Sequence, residues 1–206
     1  MSLILHTVEV GPWPMNAYVL VCPDTRQCAV IDPGADSQRI LEKTAGGEVV
    51  AILITHAHPD HTGALEEVRY ATGAPIYVNP LEATSDRLTY DHPLAEGMLI
   101  QVGKFQLQAI TTPGHTPGMT CFNLGDGRIL VGDTIFKGGP GRTGSVGDFS
   151  RTMQTMREVV FTWLDETEFY PGHGLPGKIG QERPAFEAFP ARGWSADLCG
   201  DVTWQP

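Results

Sequence analysis

The stretch Thr55–Gly63, THAHPDHTG, places His56, His58, Asp60 and His61 within six positions, directly after the apolar run VVAILI. Imidazole and carboxylate are ligands that zinc and similar ions favour, and a strand ending in a tight loop can aim several of them at one point. Within the loop, His56 and His58 are spaced to share one ion while Asp60 and His61 turn toward a second. Three crowded histidines are costly to hold as charged or unpaired rings, and a cation turns their proximity into stabilisation.

Three more candidates recur in one local setting, a β-prone run followed by a turn of small residues: His115 in TTPGHTPG, Asp133 in ILVGDT and His173 in FYPGHG. Gly114, Gly132 and Gly172 precede them, which suits close approach of backbone to a metal centre. Taken alone each is an ordinary turn residue, and Asp133 reads equally as a helix cap. Together with the loop they make seven ligands, and a carboxylate in their midst can bridge two ions roughly 3.5–4 Å apart. The lone histidines His6 and His92 read as structural or exposed.

The elements that must position these residues alternate strand and loop. LILHTVEV, AYVLV and CAVID read as an antiparallel meander separated by Gly and Pro turns. A helix follows over Ser37–Thr44, then VVAILI as a strand buried on both faces, and GALEEVRYATG as a helix stopped at Gly73. APIYVN is a short strand, and Pro80–Gly97 a polar connection. The second half opens with the strands FQLQAITT, MTCFNL and RILVGD, then a glycine-rich loop. Asp148 is expected to cap a helix over FSRTMQTMREVVFTWL. A last strand, TEFYPG, leads into a Pro- and Trp-containing tail. Two β-rich halves with helices on one face of each would bury their apolar faces against one another.

The chain as a whole narrows the function classes. With 206 residues, 41% hydrophobic and 18% charged, it is long enough for one domain with a substantial core, expected over 1–206 with a tail at 190–206. The longest apolar runs fall far short of the roughly 18 residues of a membrane helix. MSLILHTVEVGPWP has neither the basic leader nor the continuous apolar segment of a secretory signal, so a cytoplasmic location is the expectation. The net charge of −10 argues against nucleic acid and anionic membrane as partners and leaves a small-molecule substrate. Four scattered cysteines, with no Cys-x-x-Cys pair, read as buried free thiols.

The motifs VIDPG, THAHPDHTG, TPGHTPG, GDTIF and YPGHG, in that order over about residues 30–175, resemble the metallo-β-lactamase fold superfamily. The resemblance implies a four-layer αβ/βα sandwich, two mixed β-sheets flanked by helices, with a dinuclear site at one edge. It implies one metal on His56, His58 and His115 and another on Asp60, His61 and His173, with Asp133 bridging. Asp32 in VIDPG matches an aspartate that supports the histidine loop. The two divalent ions would be Zn2+, with Fe or Mn as alternatives. GDTIFKGGPGRTG and YPGHGLPGKIGQERPAF carry a narrower likeness to glyoxalase II, the hydroxyacylglutathione hydrolases and their compact relatives. Asp133 separates the chain from the true β-lactamases, so no β-lactamase activity is expected. Glyoxalase II proper carries a C-terminal helical domain that supplies much of its glutathione site, whereas only a short tail follows His173 here.

The expected chemistry is attack by a metal-bridged hydroxide on a thioester or ester carbonyl, as in hydrolysis of an S-2-hydroxyacylglutathione, since two ions sharing a water lower its pKa toward neutrality. Asp60 is placed to orient that hydroxide as well as to bind metal. Lys137 and Arg142, in the loop after Asp133, either hold an anionic substrate group or are solvated surface charge. Asn16 and Tyr18 lie on an early strand that the family brings near the site, where a core or turn role is equally open. A mononuclear iron persulfide dioxygenase, using His56, His115 and Asp133, and a lactonase are alternatives on the same scaffold. The oligomeric state is left open.

Overall fold

The computed structural model describes residues 2–83 and 88–205. The first half forms a six-stranded sheet in sequential order: β1 (Ile4–Val10), β2 (Met15–Val21), β3 (Cys28–Ile31), β4 (Val49–Leu53), β5 (Ile76–Val78) and β6 (His92–Pro93). The first three strands pair antiparallel, as the meander predicts, and the remainder parallel. Helices α1 (Ser37–Glu42), α2 (Pro59–Thr62) and α3 (Leu65–Thr72) connect them. The polar connection holds β6, and its residues 84–87 lie outside the described residues.

The second half supplies β7 (Leu99–Val102), β8 (Phe105–Thr111), β9 (Thr120–Asn123) and β10 (Arg128–Gly132). A two-stranded hairpin of β11 (Ile135–Phe136) and β12 (Gly139–Pro140) follows, then α4 (Val146–Glu158), β13 (Glu168–Pro171), β14 (Gly177–Lys178) and α5 (Ile179–Ala191). Its sheet runs β14-β13-β10-β9-β8-β7, antiparallel except for β10 against β13.

Strand alternation divides the apolar residues among three cores. On β2, Ala17, Val19 and Val21 face helices α1 and α3 with Ile40, Leu65 and Val68, whereas Tyr18 and Leu20 face the other sheet. Leu20, Ile31, Leu53, Leu107, Phe122 and Leu130 make the layer between the sheets. On β10, Ile129 and Val131 point the other way, onto Phe149, Met153 and Met156 of α4 and Phe186 and Phe189 of α5. The result is the four-layer sandwich, helices outside and two mixed sheets inside.

Three local expectations change. Ser145, not Asp148, caps α4: its hydroxyl oxygen accepts from the Asp148 N–H at 3.2 Å and donates to the Asp148 carboxylate at 2.7 Å. The helix stops at Glu158 and passes into a 3-10 turn at Val160–Thr162, where β-branched residues disfavour its continuation. The segment after TEFYPG, for which the sequence suggests no helix, contains α5, which includes Pro184 and Pro190. Proline in a helix interior removes a hydrogen bond and argues against a helix locally. Burial of Ile179, Phe186 and Phe189 in the third core overrides that signal.

Candidate metal centre

Carboxyl ends of strands from both sheets meet at one edge of the sandwich, the usual ligand-binding end of such sheets. β4 leads into His56 and His58, β8 into His115, β10 into Asp133 and β13 into His173. His58 is the extended residue before Pro59, as a residue preceding proline must be, and Pro59 opens α2 with its ring preset for a first helical turn. The short helix then presents Asp60 and His61.

The structure brings all seven candidates together. His58 Nδ1 lies 3.1 Å from His56 Nε2 and 3.0 Å from His115 Nε2. His173 Nε2 lies 3.1 Å from Asp60 Oδ2, with His61 Nε2 3.9 Å from the same oxygen. Asp133 stands between: Oδ1 is 3.5 Å from His61 Nε2, and Oδ2 is 3.6 Å from His115 Nε2 and 3.8 Å from His173 Nε2. His56, His61 and Asp133 form a buried floor, while His58, Asp60, His115 and His173 open toward solvent.

The outer nitrogens fix the tautomers. His61 Nδ1 donates to Asp32 Oδ2 at 2.9 Å, His115 Nδ1 to the Arg142 carbonyl at 2.7 Å, and His173 Nδ1 to the Pro14 carbonyl at 2.8 Å. The Thr55 hydroxyl donates to Asp32 at 2.6 Å, so it accepts from His56 Nδ1 at 3.0 Å. Each of these four rings therefore turns an Nε2 lone pair inward. His56 and His115 turn their lone pairs to within 3.1 and 3.0 Å of His58 Nδ1, a convergence of ring nitrogens that suits a cation. The same fit shows in His61 Nε2 and Asp133 Oδ1, both buried and without a hydrogen-bond partner.

Electrostatics agree. Burial, and then the neighbouring imidazoles led by His61, hold His56 well below its ordinary range; burial and His115 also lower His58. Burial pushes His61 down, but the neighbouring carboxylates of Asp133 and Asp32 outweigh this and raise it to about 10, so in the metal-free protein the ring carries a second proton near neutrality. Burial pushes Asp133 up, but His61 and the other rings hold its carboxyl below the usual value.

Asp32 adopts a left-handed backbone, φ 50°, rare outside glycine though most tolerable for Asp and Asn. In that position it also accepts from the Thr55 N–H at 2.8 Å, so three hydrogen bonds offset the strain. Of the three flagged glycines, Gly172 is the one whose missing Cβ keeps space for the centre, since a methyl there would overlap Asp133 and His61. Added atoms at Gly114 and Gly132 would instead meet Thr152, or Met119 and Thr55.

Asn16 and Tyr18 hold the turn that carries His173. Asn16 Nδ2 donates to the carbonyls of Pro171 and Gly174, and the Tyr18 hydroxyl to that of Pro171 at 2.6 Å. Glu82 carried no signal in the sequence, being a lone acid in a polar connection. Its buried carboxylate accepts from Ala57 N–H at 2.9 Å and Gly118 N–H at 2.7 Å, tying the histidine loop to the turn of His115. Lys137 and Arg142 line a cleft of about 530 Å³ that opens from His115, Asp133 and His173.

Residues 10–173 match the metallo-beta-lactamase superfamily. The chain belongs to that superfamily. That superfamily is one of metallo-hydrolases that bind divalent metals. A probable metallo-hydrolase of Bacillus subtilis is 34% identical, over 81% of this chain and 88% of its own length. The hydroxyacylglutathione hydrolase of a Polaromonas strain is 33% identical over 78% of this chain, which spans only 64% of that protein. Among solved structures, the B3 metallo-beta-lactamase BLEG-1 superposes with a TM-score of 0.77 and 29% identity, over 88% of this chain and 97% of its own. ETHE1 from Myxococcus xanthus gives 0.77 and 27%, over 87% and 81%. No helix among the described residues is long and apolar enough to cross a membrane.

Proposed function

We propose that the protein hydrolyses a thioester at a dinuclear zinc centre, with an S-2-hydroxyacylglutathione as the leading substrate. The observation that carries the reading is the double convergence of inward lone pairs, His56, His58 and His115 on one side and Asp60, His61 and His173 on the other. In this reading each trio holds one ion and Asp133 bridges them. Such ions, when bound, supply an activated water and polarise a carbonyl.

The remaining work falls to the chain. Asp60, half-buried at the mouth, accepts a hydrogen bond from the attacking water and orients it. Asp32, Thr55 and the carbonyls of Arg142 and Pro14 keep the outer imidazole protons in place, so the rings do not turn during the reaction. A thiolate leaves without a proton donor, which fits a cleft that offers no dedicated general acid. Lys137 and Arg142 attract anionic groups of the leaving thiol.

The test is metal content measured alongside hydrolysis of S-lactoylglutathione. Two zinc ions per chain with steady turnover is the expected result. A single iron with oxygen uptake on glutathione persulfide would assign the oxidative alternative, and faster opening of a lactone or a β-lactam would reassign the substrate.

A further inference from the structure

The chain ends in an extended segment that becomes part of the cleft. Gly200 and Thr143 exchange two backbone hydrogen bonds, at 2.9 and 3.1 Å, and Trp204 N–H donates to the Gly138 carbonyl at 2.7 Å. Alternation decides what faces where. Val202 and Trp204 are buried in the third core, with Trp204 edge-on to Phe186 and Phe189, while Asp201 and Thr203 stay exposed. Asp201, Val202 and Thr203 thereby form one wall of the cleft whose other end is His115, Asp133 and His173.

Asp201 changes the electrostatics of that cleft. Its Oδ2 lies 3.5 Å from Arg142 Nε, and the two side chains are 87% and 72% exposed. An ion pair so exposed is weak and opens to a ligand of complementary charge. For a purely anionic substrate Asp201 is a hindrance, because a carboxylate approaching Arg142 meets it. The hindrance becomes an attraction when the substrate brings an ammonium next to its carboxylate. Lys137, in the same cleft, has no ion pair among the described residues and is free for a second carboxylate.

The geometry points to Arg142 and Asp201 as a seat for an α-amino-acid zwitterion on the thiol half of the substrate. The guanidinium receives the carboxylate and Asp201 the ammonium. The substrates so defined are thioesters of cysteine-type thiols or of γ-glutamyl peptides. The assignment rests on the hydrolase reading for the thioester, but not for the amino-acid end.

The experiment is calorimetric titration of the metal-loaded protein with S-methylglutathione, N-acetyl-S-methylglutathione and S-methylcysteine. Asp201→Asn weakens S-methylglutathione about three- to tenfold, as expected for one exposed charge contact. It does not weaken the N-acetylated probe, which lacks the ammonium and keeps the carboxylate that Asp201 repels, so that probe binds unchanged or up to about threefold tighter. Asp201→Glu restores binding, and Arg142→Gln weakens both glutathione probes. Of the two free amines, the tighter binder names the source of the zwitterion. Tighter binding of S-methylglutathione by Asp201→Asn, equal losses on both glutathione probes, or no binding to any form overturns the seat. A wild type that binds in this pattern but cleaves no thioester overturns the hydrolase reading and leaves the seat standing.

Discussion

Asp32 Oδ2 and His61 Nδ1 are 2.9 Å apart, with 2% and 0% of their side chains exposed. The carboxylate fixes the tautomer of a ring whose other nitrogen faces the centre. Asp32→Asn, which offers an amide where two donors converge, lowers zinc affinity by about 10- to 100-fold, the usual effect of losing such a partner. Competitive chelator titration reads this, and a variant that kept full affinity would remove Asp32 from any supporting role.

Glu82 makes a second prediction, in which affinity and stability move together. Glu82→Ala strands the buried N–H groups of Ala57 and Gly118, at a cost of about 1–3 kcal/mol each. Glu82→Gln keeps one acceptor and costs about half as much. Urea unfolding of the metal-free variants measures the stability, and zinc titration shows whether the loops of His58 and His115 still converge.

The acid–base behaviour of the metal-free protein follows from opposite shifts. His56 and His58 lie below the ordinary imidazole value of 6.5, so what they contribute to folding is lost as pH falls below that value. His61 is raised to about 10, so its contribution is full below 6.5 and is lost as pH rises through about 10. Stability should therefore peak near pH 6.5 and decline on either side, steadily up to about pH 10 on the alkaline side. Zinc must displace the His61 proton near neutrality, so calorimetry in buffers of different ionisation enthalpy should show proton release, and affinity should fall on acidification.

Gly172→Ala tests the space around the centre. The added methyl overlaps Asp133 and His61, and the turn is fixed by hydrogen bonds to Asn16 and Gly132. Zinc affinity should fall by at least tenfold on the order of a displaced ligand shell, while far-ultraviolet dichroism stays unchanged. Unaltered zinc binding would show that the turn yields.

Trp204→Ala removes the anchor of the final segment. Trp204 is 1% exposed and packs on Phe161, Phe186 and Phe189, so truncation costs about 3–5 kcal/mol. Denaturant unfolding measures it, and a loss under about 1 kcal/mol would mean that the tail is not docked.

The seven converging residues were legible because their signals are local: a polar residue placed just past an apolar strand. The four-layer sandwich was legible through the resemblance of the ordered motifs, since strand periodicity alone does not fix how two sheets stack. Glu82 was invisible because its role depends on a fold contact between two loops distant in sequence. The helix α5 was hidden by Pro184 and Pro190, whose local message is the reverse of the packing that Phe186 and Phe189 enforce. Ser145 was passed over as a cap because Asp148, three residues on, carries an equally good capping side chain, and the two share one hydrogen-bonded box.

His173 donates to the Pro14 carbonyl across a sequence separation of 159 residues, and the Asn16 N–H donates to the Gly172 carbonyl beside it. For a chain emerging from the ribosome this sets an order of events. The histidine loop is synthesised early with four of its candidate ligands, yet the second cluster closes only when β13 has been made and its following turn has found the first hairpin. In the dinuclear reading, firm capture of a second ion would then report that synthesis has passed His173 and that its turn has met the first hairpin.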